Sequence, residues 1–206
     1  MKSLFKLFVV SALALVWLMA SSSAFAEPTS GDKNVSRLLR DDPTAGSIFI
    51  EVRFAELERP APKICQSISV KLVSDAGVTT HLRTQSSPTF LGKELEYARY
   101  GAVAVLVAGV YTIQQVSCEE SSGVVNLKGP FARFTLREGQ VLNLGCLMVD
   151  YKLGPPSMFV ASGFNGTWKA VDLSPRAVEY LNKTIPLAFA KAKKQYMTPI
   201  REAPKS

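Results

Sequence analysis

The stretch from Gly101 to Asp150 limits what this chain can become more than any other. It reads GAVAVLVAGVYTIQQVSC, then EESSGVVNLKGP, then FARFTLREGQVLNLGCLMVD: short apolar runs rich in Val, Leu, Phe and Thr, each halted by Gly, Pro or Ser. Stops recurring about every 8–12 residues are the sequence pattern of an antiparallel β-sandwich or barrel. The expected fold is mainly β, an antiparallel β-sandwich followed by a C-terminal helical segment.

The flanking residues extend the pattern. Ile48, Ile50, Val52 and Phe54 fall on one face of a strand with Glu51 and Arg53 on the other, so this strand should be half-buried. Pro60 and Pro62 close the next segment. Ile68, Val70 and Leu72 then alternate with Ser67, Ser69 and Lys71 up to a turn at Asp75, Ala76 and Gly77, and Val78 to Arg83 returns as the hairpin partner. Ser86, Ser87 and Pro88 break the rhythm again. Ala102 to Val107 is apolar on both faces, which predicts a strand in the middle of a sheet, and Gly109 marks a bulge or bend. Beyond it, Tyr111 and Ile113 alternate against Val110, Thr112 and Gln114. Phe134 and Leu136 alternate with Arg133, Thr135 and Arg137, and a turn at Glu138-Gly139-Gln140 leads into Val141 to Val149. Asn165-Gly166, between Met158–Ala161 and Thr167–Val171, predicts a hairpin turn because both residues tolerate positive φ.

After Leu173 the period changes. Ser174-Pro175 supplies an N-cap and a first helical residue, and Val178, Leu181 and Ile185 form one stripe. Pro186 kinks or restarts the helix, which is expected to continue over Leu187 to Met197. The organisation is therefore a signal peptide at 1–26, a flexible lead-in at 27–46 with at most a helical turn at Arg37 to Arg40, a sandwich at 47–173, a helical segment at 174–198 packed on it, and a loose tail at 199–206.

Lys2 and Lys6, the apolar run LFVVSALALVWLMA and the exit Ala24-Phe25-Ala26 make a secretory signal cut before Glu27. An uncleaved anchor is the competing reading, since residues 7–26 carry no charge. No cysteine stands near the site, so a lipid anchor is not expected. The address is the periplasm or the exterior. Removing the leader lowers the formal net charge of +7 by two. The remaining mild basicity suits an acidic envelope polymer or an anionic membrane surface. Nucleic acid does not fit, because export separates the two and basic and aromatic residues do not interleave.

Three cysteines in an oxidising compartment give one disulfide and one thiol. Spacing alone does not dictate the pairing. Cys65, in the loop-like RPAPKIC, and Cys118, at a strand end, are the expected pair. Cys146 shares an alternating face with Leu142, Leu144 and Met148, which suits a buried thiol.

Catalytic chemistry is sparse. His81 is the one histidine and has no recognisable helper, so it reads as a solvated strand residue. G-x-S-x-G, zinc spacing, C-x-x-C and the phosphate loops do not occur. Glu119-Glu120 and Asp41-Asp42 read as solvated pairs, although a glycosidase pair would be set by the fold and not by spacing. No enzyme activity, cofactor or metal is expected. Trp168 should fill core, and with Phe164 it is the candidate for stacking on a glycan. Lys191, Lys193 and Lys194 form the most basic segment, a candidate contact for a partner or an anionic surface, against the plainer reading of a solvated helix face. The sequons at Asn34, Asn165 and Asn182 matter only in a eukaryotic secretory host, and the form of the leader is bacterial.

Ala108-Gly109-Val110-Tyr111-Thr112-Ile113, followed by Phe134-Thr-Leu-Arg-Glu-Gly139-Gln-Val-Leu-Asn-Leu-Gly145, resembles uncharacterised bacterial envelope proteins with a prealbumin-like β-sandwich. Their pattern pairs a G-x-Y strand with a strand that ends in a Gly turn and runs on into L-G. Those motifs are structural, so the resemblance implies fold and compartment but no activity. Many such relatives are lipoproteins, and that trait does not carry over to a chain without a lipobox cysteine. The expectation is an exported cell-envelope protein with a non-enzymatic binding or structural role, contacting a protein or polymer partner through edge strands or loops. The alternatives are a carbohydrate-binding module for an acidic polysaccharide and a hydrolase or hydrolase inhibitor. The oligomeric state is not readable.

Overall fold

A computed structural model describes residues 27–56, 59–62, 65–84, 101–120, 123–153 and 164–200. The leader at 1–26, the break at Ser86 to Pro88, the segment Met158–Ala161 and the tail beyond 200 lie outside the described residues.

The chain folds as the mainly β sandwich that its punctuation predicts. Strands β1 (Ala45–Glu56), β2 (Arg59–Pro62), β5 (Gly101–Val107), β8 (Val141–Leu153), β9 (Phe164–Val171) and β10 (Lys193–Lys194) form one sheet. Strands β3 (Ser67–Ser74), β4 (Thr79–Thr84), β6 (Gly109–Glu120), β7 (Gly123–Leu136) and β11 (Thr198–Pro199) form the other, in the order β11-β7-β6-β3-β4. The second sheet is antiparallel throughout. In the first, β1 runs antiparallel to β5 but parallel to β8.

The two sheets enclose one core. Ile48, Ile50, Val52 and Phe54 of β1 meet Ile68, Val70 and Leu72 of β3, Ile113 and Val116 of β6, and Phe131, Phe134 and Leu136 of β7. Each large apolar side chain so buried contributes about 1.5–3 kcal/mol. Two of the crossings between the sheets fall at glycine-marked bends. β5 passes into β6 at Ala108, whose N–H donates to Thr44 O, and β7 passes into β8 through Gly139, at φ +63°. Cys65 and Cys118 are joined by a disulfide inside this core, as expected, and Cys146 is a buried thiol.

Helices α1 (Ser30–Asp41), α2 (Pro175–Thr184) and α3 (Pro186–Ala190) lie over the outer face of the first sheet. Phe49 of β1 points into them and packs with Val35, Leu173, Ala177, Leu181, Ile185 and Ala188. Strand β1 is therefore buried on both faces and not on one, because helices cover the side that alternation assigns to solvent.

Several local readings are corrected. Residues 27–46 are no mobile lead-in: α1 starts at a capping box in which Thr29 and Asp32 satisfy each other's backbone N–H groups. Asp32 then reaches across to accept from Ala188 N at 2.9 Å, which ties α1 to α3. Ala102 to Val107 is not a central strand. Among the described residues β5 pairs only with β1, and Val103 and Val107 are exposed. The Pro-rich segment at 59–62 is a short edge strand, where a missing N–H costs least. Asn165-Gly166 is not a turn but part of β9, paired with Lys152 and Tyr151. The C-terminal helix stops at Ala190 and does not run to Met197. Lacking an apolar stripe there, the chain becomes extended, pairs with Leu142 and Asn143 of β8, buries Met197 in the core and then pairs with β7. The first residue of the expected loose tail, Pro199, lies in that second pairing.

Cys146 changes face. A bulge at Leu144–Gly145, where Gly145 takes φ +77°, inserts an extra residue into β8 opposite β1. Leu142 and Leu144 face the core, but after the bulge Leu147, Val149 and Tyr151 take over. Cys146 pairs with Glu51 and is buried at 1% exposure on the helix-covered side.

Candidate functional site: the outer face of the five-stranded sheet

The register of β4, β3, β6 and β7 aligns their outward residues in rows across the sheet. One row is Arg83, Ser69, Ser117 and Asn126; the next is His81, Lys71, Gln115 and Lys128. Beyond the first row lie Ser67, Glu119 and Val124. The inward neighbours Ile68, Val70, Leu82, Val116, Cys118 and Leu127 are core, so period-two alternation is what collects the polar groups on one face. A bulge at Gln114 lets Gln115 face outward although Ile113, two residues earlier, faces inward.

The first row, the set beyond it and Gln115 line a groove of about 360 Å³, and His81, Lys71 and Lys128 stand beside it in the row of Gln115. At one end Glu119 accepts from Ser67 Oγ at 2.5 Å and from Arg83 Nη2 at 2.9 Å. The Ser67 hydroxyl first, and then Arg83, hold the Glu119 carboxyl below the ordinary carboxylate range. In the middle Gln115 Nε2 donates to Ser117 Oγ at 3.1 Å and Asn126 Oδ1 at 3.3 Å. At the far end of the face Arg133 holds Asp75 through two contacts of 2.7 and 2.9 Å. Both acids on this face are thus matched by an arginine. Lys71 and Lys128, on either side of Gln115, make no ion pair among the described residues.

The arrangement offers hydroxyl and amide groups, with two unmatched ammonium groups, on a pleated surface. Hydrogen bonding and charge attraction are what it can do chemically. His81 is exposed and sits in the row with Lys71. Among the described residues no three His, Cys, Asp or Glu side chains are grouped so as to hold a metal.

The residues singled out from the sequence lie elsewhere. Trp168 belongs to the core margin: its ring meets Phe131 edge-on at 5.2 Å and its Nε1 donates to Ile200 O at 3.0 Å. The side chain of Phe164 lies outside the described residues. Lys191, Lys193 and Lys194 are exposed on the other sheet's side of the molecule, on a turn and strand and not a helix. Lys194 is engaged there, bonded to Asp172 at 2.5 Å and 5.1 Å from the Tyr196 ring centre. Tyr196 Oη also donates to Asp172 at 2.5 Å. The hydrogen bond from Lys194, and next that from Tyr196, lowers the Asp172 pKa.

Sequence reasoning missed the groove although its parts were visible. Ser67, Ser69 and Lys71 were legible as an outward set, but nothing local says that Ser117, Gln115 and Asn126 stand beside them.

No family model matches the chain, and no curated protein matches it. One similar solved structure is a leucine-rich repeat protein from Bacteroides thetaiotaomicron, with 14% identity and a TM-score of 0.34, covering 62% of this chain. The chain spans 21% of that protein, and a likeness at this level carries no argument.

Proposed function

We propose that this is an exported cell-envelope protein, periplasmic or secreted, that binds a protein or polymer partner without catalysing a reaction. The observation that carries the binding reading is the open polar groove on the five-stranded sheet, against a first sheet whose outer face is largely covered by helices. Export draws support from the disulfide, which persists in oxidising compartments, and from the leader pattern before Glu27. No helix among the described residues is long and apolar enough to cross a membrane.

The resemblance to prealbumin-like envelope proteins points the same way on compartment. The hydrolase reading gains no observation from the groove, whose one carboxylate is held by Ser67 and Arg83. Affinity capture from cell-envelope extract, read by mass spectrometry for proteins and sugar analysis for polymers, tests the proposal. Specific enrichment of one component is expected. Empty capture, together with turnover on a substrate panel, would overturn it.

A further inference from the structure

We infer that the groove, together with the lysine row beside it, is a binding site for an acidic glycan chain, lying across the strands along the rows of Ser69, Ser117 and Asn126 and of Lys71, Gln115 and Lys128. The inference rests on the binding reading above and adds the ligand class and the place.

Charge complementarity chooses the sign. Glu119 and Asp75 are each bound to an arginine, so among the described residues the face presents two unmatched cations, Lys71 and Lys128. Lys71 and Lys128 stand on strands separated by β6, about 10 Å apart at the backbone for strands spaced ~4.8 Å. They therefore bracket the amide of Gln115. A chain with a repeating negative charge meets one ammonium on each side of a neutral centre.

Polarity chooses a sugar. The centre offers serine hydroxyls and side-chain amides, each able to donate and accept, which suits a ligand dense in hydroxyl groups. The large apolar group at the groove is Val124, at one end, so an acyl surface has little to enter. Nor is there an aromatic side chain among its lining residues on which a base would stack. Contacts of this kind, exposed and screened by salt, give modest affinity that falls as ionic strength rises.

The test titrates the purified chain with oligogalacturonate, with its methyl ester and with polyglutamate, over a salt series. The double variant Lys71→Gln, Lys128→Gln is compared with Lys191→Gln, Lys193→Gln, which removes equal charge from the other side of the molecule. Oligogalacturonate should bind best. Removing both lysines beside the groove should weaken it about tenfold and flatten its salt dependence, whereas the distant pair should change it by less than about twofold. Equal binding of the ester would remove the role of charge, and equal binding of polyglutamate would remove the role of the sugar. A larger loss in the Lys191 and Lys193 variant would move the site. Any of these results, or no binding, overturns the inference. Envelope capture then separates the two levels: a captured protein leaves the binding reading standing, and an empty capture together with turnover on a substrate panel removes both.

Discussion

The two sheets share one core but differ on their outer faces. On the first, Phe49, Glu51 and Cys146 point away from the core and are still buried, under helices contributed by both ends of the chain. On the second, Ser69, Lys71, Gln115 and Asn126 occupy the equivalent outward positions and reach solvent. The first face shows how a polar group survives burial. Glu51, 1% exposed, accepts from Ser174 N at 2.7 Å and from Ser174 Oγ at 2.9 Å, so the carboxylate sits at the N-terminus of α2, where partial positive charge favours it. The second face keeps its polar groups wet, and a wet polar face is one that a ligand can still reach.

The contrast can be broken at several points. Phe49→Ala should cost about 3–5 kcal/mol, the price of a cavity beneath three elements, read by denaturant unfolding. A loss below about 1 kcal/mol would mean that the helices do not seal this face. Asp32→Ala removes the capping box and the link to Ala188 together, for an expected loss of about 1–3 kcal/mol. Gly31→Ala sharpens the point through its sign. On a solvated helix it would stabilise by about 1 kcal/mol, but here a Cβ would meet Ile185 Cγ2 and Thr184 O at 2.5 Å. The helix approach should therefore make the change destabilising, again by about 1–3 kcal/mol.

Cys146 gives a chemical reading of the same burial. Burial first, and then the neighbouring Glu51 carboxylate, push its thiol above the ordinary thiol range. A thiol reagent should find no reactive cysteine in the native protein and one after unfolding under non-reducing conditions. Rapid native labelling would show the face to be open.

The smallest effects belong to the open face. Lys71→Gln should leave stability within about 0.5 kcal/mol. Glu119 titrates below its ordinary value in the folded protein, so its contribution is present above the unfolded carboxylate pKa and is lost as pH falls through the folded one. Ser67→Ala removes the larger cause, and the Glu119 midpoint followed by NMR should rise. An unmoved midpoint would show that Arg83 alone sets it.

Much of the fold was legible because alternation is local. Ile68, Val70 and Leu72 against Ser67, Ser69 and Lys71 came out as read, and so did Phe134 and Leu136 against Arg133 and Thr135. The helix at Ser30–Asp41 was readable too: Thr29 and Asp32 stand at capping-box spacing ahead of Val35, Leu38 and Leu39. Its polar composition and the glycine in its first turn hid it. The face of Cys146 was not readable, since one extra residue at Gly145 reverses every side chain after it.

The sequence by itself determined most of the strands, the glycine bends and which side of most strands is apolar, because a period of two is written in neighbouring residues. The tertiary structure decided which outward face would be dry. That choice depends on contacts such as Glu51 with Ser174 and Asp32 with Ala188, separated by 123 and 156 residues. No local pattern encodes such contacts. The groove has the same origin: its serines and amides, and the lysines beside them, become a surface only when β3, β4, β6 and β7 lie side by side in register.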